Sequence, residues 1–289
     1  MATDAIMSHE VQDENELWAG GKEPFGASYG KLMMWYFLLS DAFTFAGFLI
    51  SYGTLRFSMP TWPLPDFVFS SLPGGIHHAP LIFVTFMTFV LIMSSVTMVR
   101  AVQEGHNGNR MGVVKWMGWT IVGGAMFLSC QAWEWTTLIG TEHMSVITNP
   151  FGTHVTDGVY LEDEHGHPYA AGEKAETFTA HHTYLIEKEK DEATGKEEWI
   201  HRKFKTKDGE IGQQEFGPKA FGALFFFITG FHGFHVFSGV LFLTIILVNA
   251  ASGLYQNRGN HYEMVEKIGL YWHFVDLVWV FVFLVYYLL

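Results

Sequence analysis

The sequence predicts an all-α integral membrane protein with five transmembrane helices in a bundle. Five stretches are nearly free of charge and long enough to cross a bilayer, which takes about 20 residues at about 1.5 Å each. Aromatic residues make up 17% of the chain, a load typical of proteins solvated by lipid. The polar residues collect instead in one long segment between the third and fourth stretches. The predicted spans are 31–56, 79–101, 112–139, 218–250 and 267–289.

These spans divide the chain into four parts. A polar N-terminal segment (1–30) precedes helices 1–3 (31–139), a long loop (140–217) follows, and helices 4 and 5 (218–289) come last. The first residues are acidic and polar, without the basic stretch and apolar core of a cleavable signal peptide. We therefore expect the first span to carry the insertion signal itself.

Positive charges outside the long loop lie almost entirely at one end of the predicted bundle. Only Arg56 and Lys219, at the start of the fourth span, fall at the other end. Because Lys and Arg are retained in the cytoplasm, the N-terminus is predicted to be cytoplasmic and the C-terminus, after five spans, to be outside. The residues at the cytoplasmic end are Lys22, Lys31, Arg100, Arg110, Lys115, Arg258 and Lys267.

The loop 140–217 is predicted to lie outside the membrane and to be folded at least in part. It carries sixteen acidic and eight basic residues and so supplies most of the net charge. Two segments rich in strand-forming residues, 182–187 and 198–204, flank the turn-rich residues 191–195, which favours a small β-hairpin. A solvated acidic loop without structure is the alternative.

Composition excludes several classes of function. A formal net charge of −12 argues against nucleic acid as a partner, because the chain would repel phosphate. Cys130 is the one cysteine, so the chain has no intramolecular disulfide, cysteine zinc site, c-type haem attachment motif or copper-binding thiol pair.

Several ionisable residues fall inside the predicted spans, where a charge is costly and therefore points to a function. The distance from Lys31 places Asp41 near the bilayer midplane. Two pairs, each three residues apart, lie at a similar depth, and each pair shares one helix face. A carboxyl group in the third span lies near the outer end. The candidate proton-related or buried polar residues are Asp41, Glu134, His232, His235, His273 and Asp276.

Three interpretations of these residues stay open at this point. They can be packing groups that hydrogen-bond between helices, which we favour for the histidines and Asp276. They can ligate a metal, but membrane di-iron enzymes need several such His pairs near the cytoplasmic surface. Here only His232/His235 has the spacing inside a span, and it is buried. The third interpretation is proton handling, for which Asp41 is the leading candidate. The remaining His pairs are His77/His78, His165/His167 and His181/His182, all outside the spans.

At these positions the sequence resembles the cytochrome c oxidase subunit III family. Residues 229–236 (TGFHGFHV), in the fourth span, and 271–279 (YWHFVDLVW), in the fifth, are similar to the family's signatures. Ser40-Asp41 matches the site where the family usually has Ser-Glu, and 131–135 (QAWEW) resembles its Gln-x-x-Glu-Tyr segment. The resemblance covers all five helices, though not the long loop.

The resemblance implies a non-catalytic subunit of a proton-pumping oxidase in a bacterial inner membrane. In that family haem and copper lie in subunits I and II, which would be the partners, and this chain itself would hold no metal, cofactor or catalytic residue. Membrane lipid, including bound phospholipid, is also expected. Independently of the resemblance, the acidity and length of the loop 140–217 suggest contact with cytochrome c domains or a neighbouring respiratory complex. The equivalent subunit of a quinol oxidase or nitric-oxide reductase is an alternative, and a stand-alone proton-coupled transporter a remote one.

Two departures from the family pattern affect these expectations. Many members have seven helices, and this chain resembles the last five, as short bacterial forms do. Asp41 replaces Glu, which shortens the carboxyl side chain by one methylene.

Overall fold

Five long helices form the body of the protein. The computed structural model describes residues 28–73, 81–169, 175–190, 197–257 and 262–289. Nearly all of the segment 1–30, His77, His78, the turn 191–195 and Arg258 lie outside these ranges. The long helices are α1 (Tyr29–Ser58), α3 (Ile82–His106), α4 (Arg110–Gly140), α5 (Lys219–Ala251) and α7 (Glu263–Val282), which continues as a π-helix over Phe283–Leu288. Two single-turn helices are α2 (Pro65–Val68) and α6 (Leu254–Asn257).

Each long helix is apolar around its whole circumference, as a helix in lipid must be. Large apolar side chains such as Phe43, Phe89 and Phe237 are 71%, 60% and 58% exposed on the outer surface of the bundle. All five helices are long and apolar enough to cross a membrane, which confirms the predicted spans to within a few residues at most ends. Near one boundary, Asn109 caps α4 by accepting a hydrogen bond from the Gly112 amide.

The last helix, α7, packs against α1, α3 and α5, and Trp272 fills the space beside it. Glycines on two neighbouring helices make room for this ring. A Cβ atom at Gly124 would lie 2.5 Å from Trp272 Cη2, and one at Gly239 would lie 3.0 Å from Trp272 Cε3. Half of the apolar stretch of α7 is buried, but only 17% of that of α1. The helix α7 is therefore the centre of the bundle and α1 its most exposed member.

Charged groups tie the helices together at the end that carries the N-terminus of α1. Lys31 Nζ lies 2.8 Å from Glu266 Oε2, which joins α1 to α7, and Lys267 Nζ lies 3.1 Å from Glu263 Oε1. The Arg110 guanidinium donates to the Ala251 carbonyl and so joins α4 to α5. The described cations that the sequence assigned to one end of the bundle thus lie at that end.

The segment between α4 and α5 folds into a module of eight short strands. They form three antiparallel sheets: β1 with β4, β5 with β6, and a four-stranded sheet in the order β3-β2-β7-β8. The strands are β1 (Phe151–Thr153), β2 (Gly158–Tyr160), β3 (Thr177–Phe178), β4 (Thr183–Leu185), β5 (Lys188–Lys190), β6 (Glu197–Trp199), β7 (Lys203–Thr206) and β8 (Ile211–Gln213).

The hairpin predicted around 191–195 forms, but the pairing of its flanks differs from the prediction. The strands β5 and β6 pair on either side of those residues. The segments 182–187 and 198–204 do not pair with each other along their length: β4 pairs with β1, and β7 pairs with β2 and β8. The reason is a shared core, because Tyr184 and Phe204 both pack against the ring of His154.

His154 is the centre of that core. Its ring stacks on Phe178 at a centroid distance of 3.6 Å, and its Nε2 lies 2.7 Å from the Tyr160 hydroxyl. Gln214 Nε2 donates to the same hydroxyl, so the Tyr160 proton is left to point at the histidine. Burial lowers the pKa of His154 to about 4, which keeps the ring neutral at physiological pH.

The module should therefore lose stability in acid. The folded state takes up a proton at His154 only near pH 4, whereas the unfolded chain does so near pH 6.5, so the free energy of unfolding falls as the pH drops through this window. His154→Phe should keep the aromatic stack and flatten this pH dependence, although the lost Tyr160 bond should cost about 1 kcal/mol at neutral pH. Resistance of the full chain to proteolysis within the module, followed against pH, measures both effects.

The matched control is His167→Phe, since His167 is an exposed histidine of the same module. It should leave the pH profile of the parent unchanged. An equal loss of acid sensitivity in both variants would contradict the assignment to His154.

Candidate functional site

The first buried polar group joins α1 to α5. His235 Nε2 lies 3.3 Å from Asp41 Oδ2, and both side chains are 10% exposed. The rings of Phe45 and Phe231 pack on His235 with centroid distances of 5.5 and 4.7 Å. Tyr271 of α7 completes the group, because its hydroxyl donates a hydrogen bond to the His235 carbonyl. The structure thus brings together two of the residues that the sequence predicted.

A hydrogen bond across this contact would need one proton between the facing atoms of Asp41 and His235. His235 Nδ1 lies 2.8 Å from the Phe231 carbonyl oxygen, which can only accept, so Nδ1 carries a hydrogen. In a neutral ring Nε2 is then an acceptor, and the Asp41 carboxyl must be protonated to meet it. With an ionised carboxyl, the ring must instead be doubly protonated. Without that proton, two acceptors would face each other at a buried position, which is costly.

His232 forms a second group that needs no shared proton. It is fully buried, and its Nε2 donates to the Val275 carbonyl of α7 at 3.1 Å. Phe127 and Trp279 pack on the ring at centroid distances of 5.6 and 5.0 Å. A neutral imidazole satisfies this bond, so the arrangement is that of a packing residue between α5 and α7.

A third group lies between α3 and α7. Ser95 Oγ lies 2.5 Å from His273 Nδ1, and the same hydroxyl is within reach of the Asp276 carboxyl. Asp276 is 8% exposed, and its Oδ1 has no hydrogen-bond partner among the described residues. The serine therefore links the predicted pair His273/Asp276 to α3.

These groups do not form the single network that equal depth predicted. On α7, Tyr271 faces Asp41 and His235, Val275 faces His232, and Asp276 faces Ser95. Successive residues of a helix are turned by about 100°, so these positions point at different neighbours. Rotation about α7 therefore separates the groups.

Glu134 belongs to a fourth site near the outer end of the bundle. It is 5% exposed, and the Tyr287 hydroxyl donates to both of its oxygens, at 3.2 and 3.4 Å. Just beyond the end of α4, Glu142 accepts from Ser71 at 3.3 Å, and burial raises the pKa of Glu142 to about 7. Together with Trp133, these carboxyl groups line a cavity of about 20 Å³, which is room for one water molecule.

The residues on either side of Glu134 hold α4 against α5. Gln131 Nε2 donates to the Thr229 carbonyl at 2.6 Å, and Trp135 Nε1 donates to the Thr229 hydroxyl at 3.3 Å. Residues four apart lie on the same helix face, so one residue of α5 receives both bonds. Within this segment, Gln131 and Trp135 thus face α5, whereas Glu134 faces the end of α7.

Sequence reasoning missed the partners of these groups. Tyr271, Tyr287 and Ser95 were not among the candidate residues. A signal was present, because a Tyr or Ser inside a span needs a hydrogen-bond partner and tends to find a charged one. The choice of partner is set by helix rotation, which spacing alone does not provide.

Among the residues that the structure describes, no group of three or more His, Cys, Asp or Glu side chains is placed to hold a metal ion. Of the candidate residues, Asp41 and His235 are the two that contact each other across helices. That the chain carries no metal or cofactor remains a prediction.

Comparison with known proteins identifies relatives of the chain. A family model described as cytochrome c oxidase subunit III matches residues 203–289, which include α5 and α7. Cytochrome c oxidase subunit 3 of Synechocystis is 24% identical over 253 residues, covering 88% of this chain and 72% of that protein. The subunit 3 of Schizophyllum commune is 42% identical over 90 residues (31% of this chain, 29% of that protein). A probable subunit 3 of Rickettsia prowazekii is 37% identical over 92 residues (32% and 30%).

The two shorter alignments span less than a third of those relatives, but all of these matches name one family. The motifs in α5 and α7, whose side chains build three of the four buried polar groups, lie inside the matched region. Five helices of membrane-spanning length agree with a multi-pass membrane protein. The chain is therefore similar to cytochrome c oxidase subunit III, most strongly over residues 203–289.

Proposed function

We propose that this chain is the non-catalytic subunit III of a proton-pumping cytochrome c oxidase, where it supports proton uptake and the stability of the catalytic subunit. Similarity to the subunit III family supports a role in a haem–copper oxidase, an oxidoreductase complex of aerobic respiration. Its partners would be subunits I and II, which would carry the haem and copper, together with membrane lipid.

The observation that carries the proton-related part is the contact between Asp41 and His235. A group that must hold one proton to keep its hydrogen bond can release and regain that proton, as a relay site must. Its location favours this use, because it joins α1, the most exposed helix, to the interior of the bundle. The other candidates, Glu134, His232, His273 and Asp276, are proposed to serve the packing of the helices.

A quinol oxidase or nitric-oxide reductase subunit is the runner-up, because it shares the motifs of α5 and α7. The electron donor of the assembled complex distinguishes the two. We further propose that the β-module lies on the periplasmic side, where its acidic surface suits basic partners such as a cytochrome c domain.

Purification of the tagged chain from its native membranes should yield a complex with a haem-bearing, many-helix polypeptide. A reduced-minus-oxidised spectrum should show haem in the complex, and reduced cytochrome c should be oxidised by it. Oxidation of a quinol instead would favour the runner-up. Recovery of the chain alone, without any haem protein, would overturn the assignment.

Asp41→Asn should shorten the working life of the oxidase severalfold or slow its proton uptake, while the complex still assembles. The amide can donate to His235 Nε2 and keep the contact, but it cannot exchange a proton. His235→Gln should act in the same direction, because it removes the other member of the pair. The measurements are oxygen consumption, proton pumping ratio and the number of turnovers before inactivation.

Ser40→Ala is the matched control, since Ser40 neighbours Asp41 but bonds only to the Phe37 carbonyl of its own helix. It should behave as the parent protein. If Asp41→Asn also shows the oxygen consumption, proton pumping and lifetime of the parent protein, the pair is only a packing contact.

The orientation can be tested in a cysteine-free background, which needs only Cys130→Ser. A cysteine at Asp208, in the exposed turn before β8, should react with a membrane-impermeant maleimide in intact cells. A cysteine at Asn107, in the exposed turn between α3 and α4 at the other end, should react only after permeabilisation. The opposite pattern would place the module in the cytoplasm.

A further inference from the structure

The β-module contains an open groove between its strands β1 and β8. The groove has a volume of about 340 Å³. One wall is formed by residues 152–156 and the other by β8 and Glu215, while Thr61, from the connection between α1 and α2, lies at its base. The strands β1 and β8 face one cavity without pairing to each other, which makes their edges candidate binding sites.

The edge of β1 that faces the groove offers backbone hydrogen-bonding groups. In the ladder with β4, the His154 amide donates to His182 and the Ile186 amide donates to Pro150, each at 3.0 Å. Residues of an antiparallel strand alternate between bonding towards the partner and away from it. The amide and carbonyl of Thr153 therefore point away from β4, and its buried side-chain hydroxyl also has no partner among the described residues.

The edge of β8 is open in the same way. The Thr206 amide donates to the Glu210 carbonyl at 2.8 Å, and the Gln214 amide donates to the Arg202 carbonyl at 3.0 Å. By the same alternation, the backbone groups of Ile211 and Gln213 point away from β7, towards the groove. Such an edge is a ready template for another strand.

At one end of the groove, a tyrosine side chain makes the backbone hydrogen bonds that a paired strand would make. The Tyr184 hydroxyl accepts from the Glu215 amide at 3.1 Å and donates to the Glu215 carbonyl at 3.0 Å. It satisfies both backbone groups as a paired residue would. Beyond Tyr184, the edges at Thr153 and Gln213 have no such substitute within the described chain.

The lining of the groove selects the kind of segment that fits. Glu210 and Glu215 are its charged residues, and no described lining residue is Lys or Arg. Thr61 follows α1 by three residues, and the Leu64 amide of the same connection donates to the Thr183 hydroxyl of β4 at 2.9 Å. The groove therefore lies close to the membrane surface, within reach of a neighbour anchored in the same membrane.

We propose that this groove binds an extended, basic segment of a neighbouring membrane-anchored polypeptide by strand addition. The guest pairs with β1 on one side and β8 on the other, and so joins the separate sheets into one in the order β4-β1-guest-β8-β7-β2-β3. Its Lys or Arg side chains meet Glu210 and Glu215. The inference does not rest on the oxidase assignment, because it concerns only the edges and charges of the module.

The test uses the full chain in its native membranes, with a photo-crosslinking amino acid at Thr156, an exposed residue of the groove. Irradiation should join Thr156 to one Lys- or Arg-rich stretch of another polypeptide, identified by mass spectrometry. Gln213→Pro removes an amide that faces the groove and should abolish the adduct. Gln213→Ala keeps the amide and should retain it.

Two matched controls separate strand addition from general damage. Thr177→Pro makes the same change on the far edge of the four-stranded sheet, at a residue whose amide also points outward, and should keep the adduct. Glu210→Lys should weaken the adduct severalfold, whereas Asp208→Lys, outside the groove, should not. The pair of charge variants decides the question if the proline variants fail to accumulate.

The proposal is overturned by the absence of any adduct, by adducts with phospholipid only, or by adducts with a second copy of this chain. It is also overturned if the adduct persists in Gln213→Pro and Glu210→Lys at the parent level.

Discussion

Lipid offers no hydrogen bonds, so every polar group inside the bundle must be satisfied by another part of the chain. The central helix meets this constraint by sending polar side chains to several neighbours. Trp272 Nε1 donates to Ser94 and Trp279 Nε1 donates to Thr88, both on α3, while the Tyr286 hydroxyl donates to the Phe221 carbonyl of α5. Each bond fixes the rotation of α7 against one neighbour. The positions of all the other buried groups follow from that rotation.

Within this frame the contact between Asp41 and His235 differs from the remaining polar contacts in its chemistry. His232 Nε2 donates to a backbone carbonyl, a bond that a neutral ring makes without any charged partner. Between Asp41 and His235, a hydrogen bond would need a proton, and that proton could sit on either partner. Because only 17% of the apolar stretch of α1 is buried, the pair lies at the margin of the bundle, where a relay towards a partner subunit would have to begin.

Much of this organisation follows from the sequence, and the part that does not has a physical cause. Length and apolarity predicted the five spans, and the three-residue spacing predicted that His232 and His235 share a face. That face is wide enough to touch two helices, so the pair serves two separate groups, on α7 and on α1. The partner of Glu134, Tyr287, lies 153 residues away, and which residues meet at such a separation depends on packing across the bundle. In the module, strands of three residues carry too little pattern to reveal that β1 pairs with β4.

Hydrogen bonds and close packing hold the β-module on the helices. A segment bound in the groove would therefore be held in a fixed position relative to them. Asn149, at its entrance, accepts from the Gly217 amide at its exit and donates through Nδ2 to the Pro218 carbonyl, so the two ends of the insertion are tied together where α5 begins. A Cβ atom at Gly217 would lie 1.8 Å from the Phe151 carbonyl oxygen, so the chain passes there in direct contact. A strand held between β1 and β8 would thus be fixed relative to α4 and α5 rather than to a flexible tether. An interaction at this surface would then set the rotation of the whole subunit about the membrane normal, and with it the direction in which α1 and the Asp41–His235 pair face.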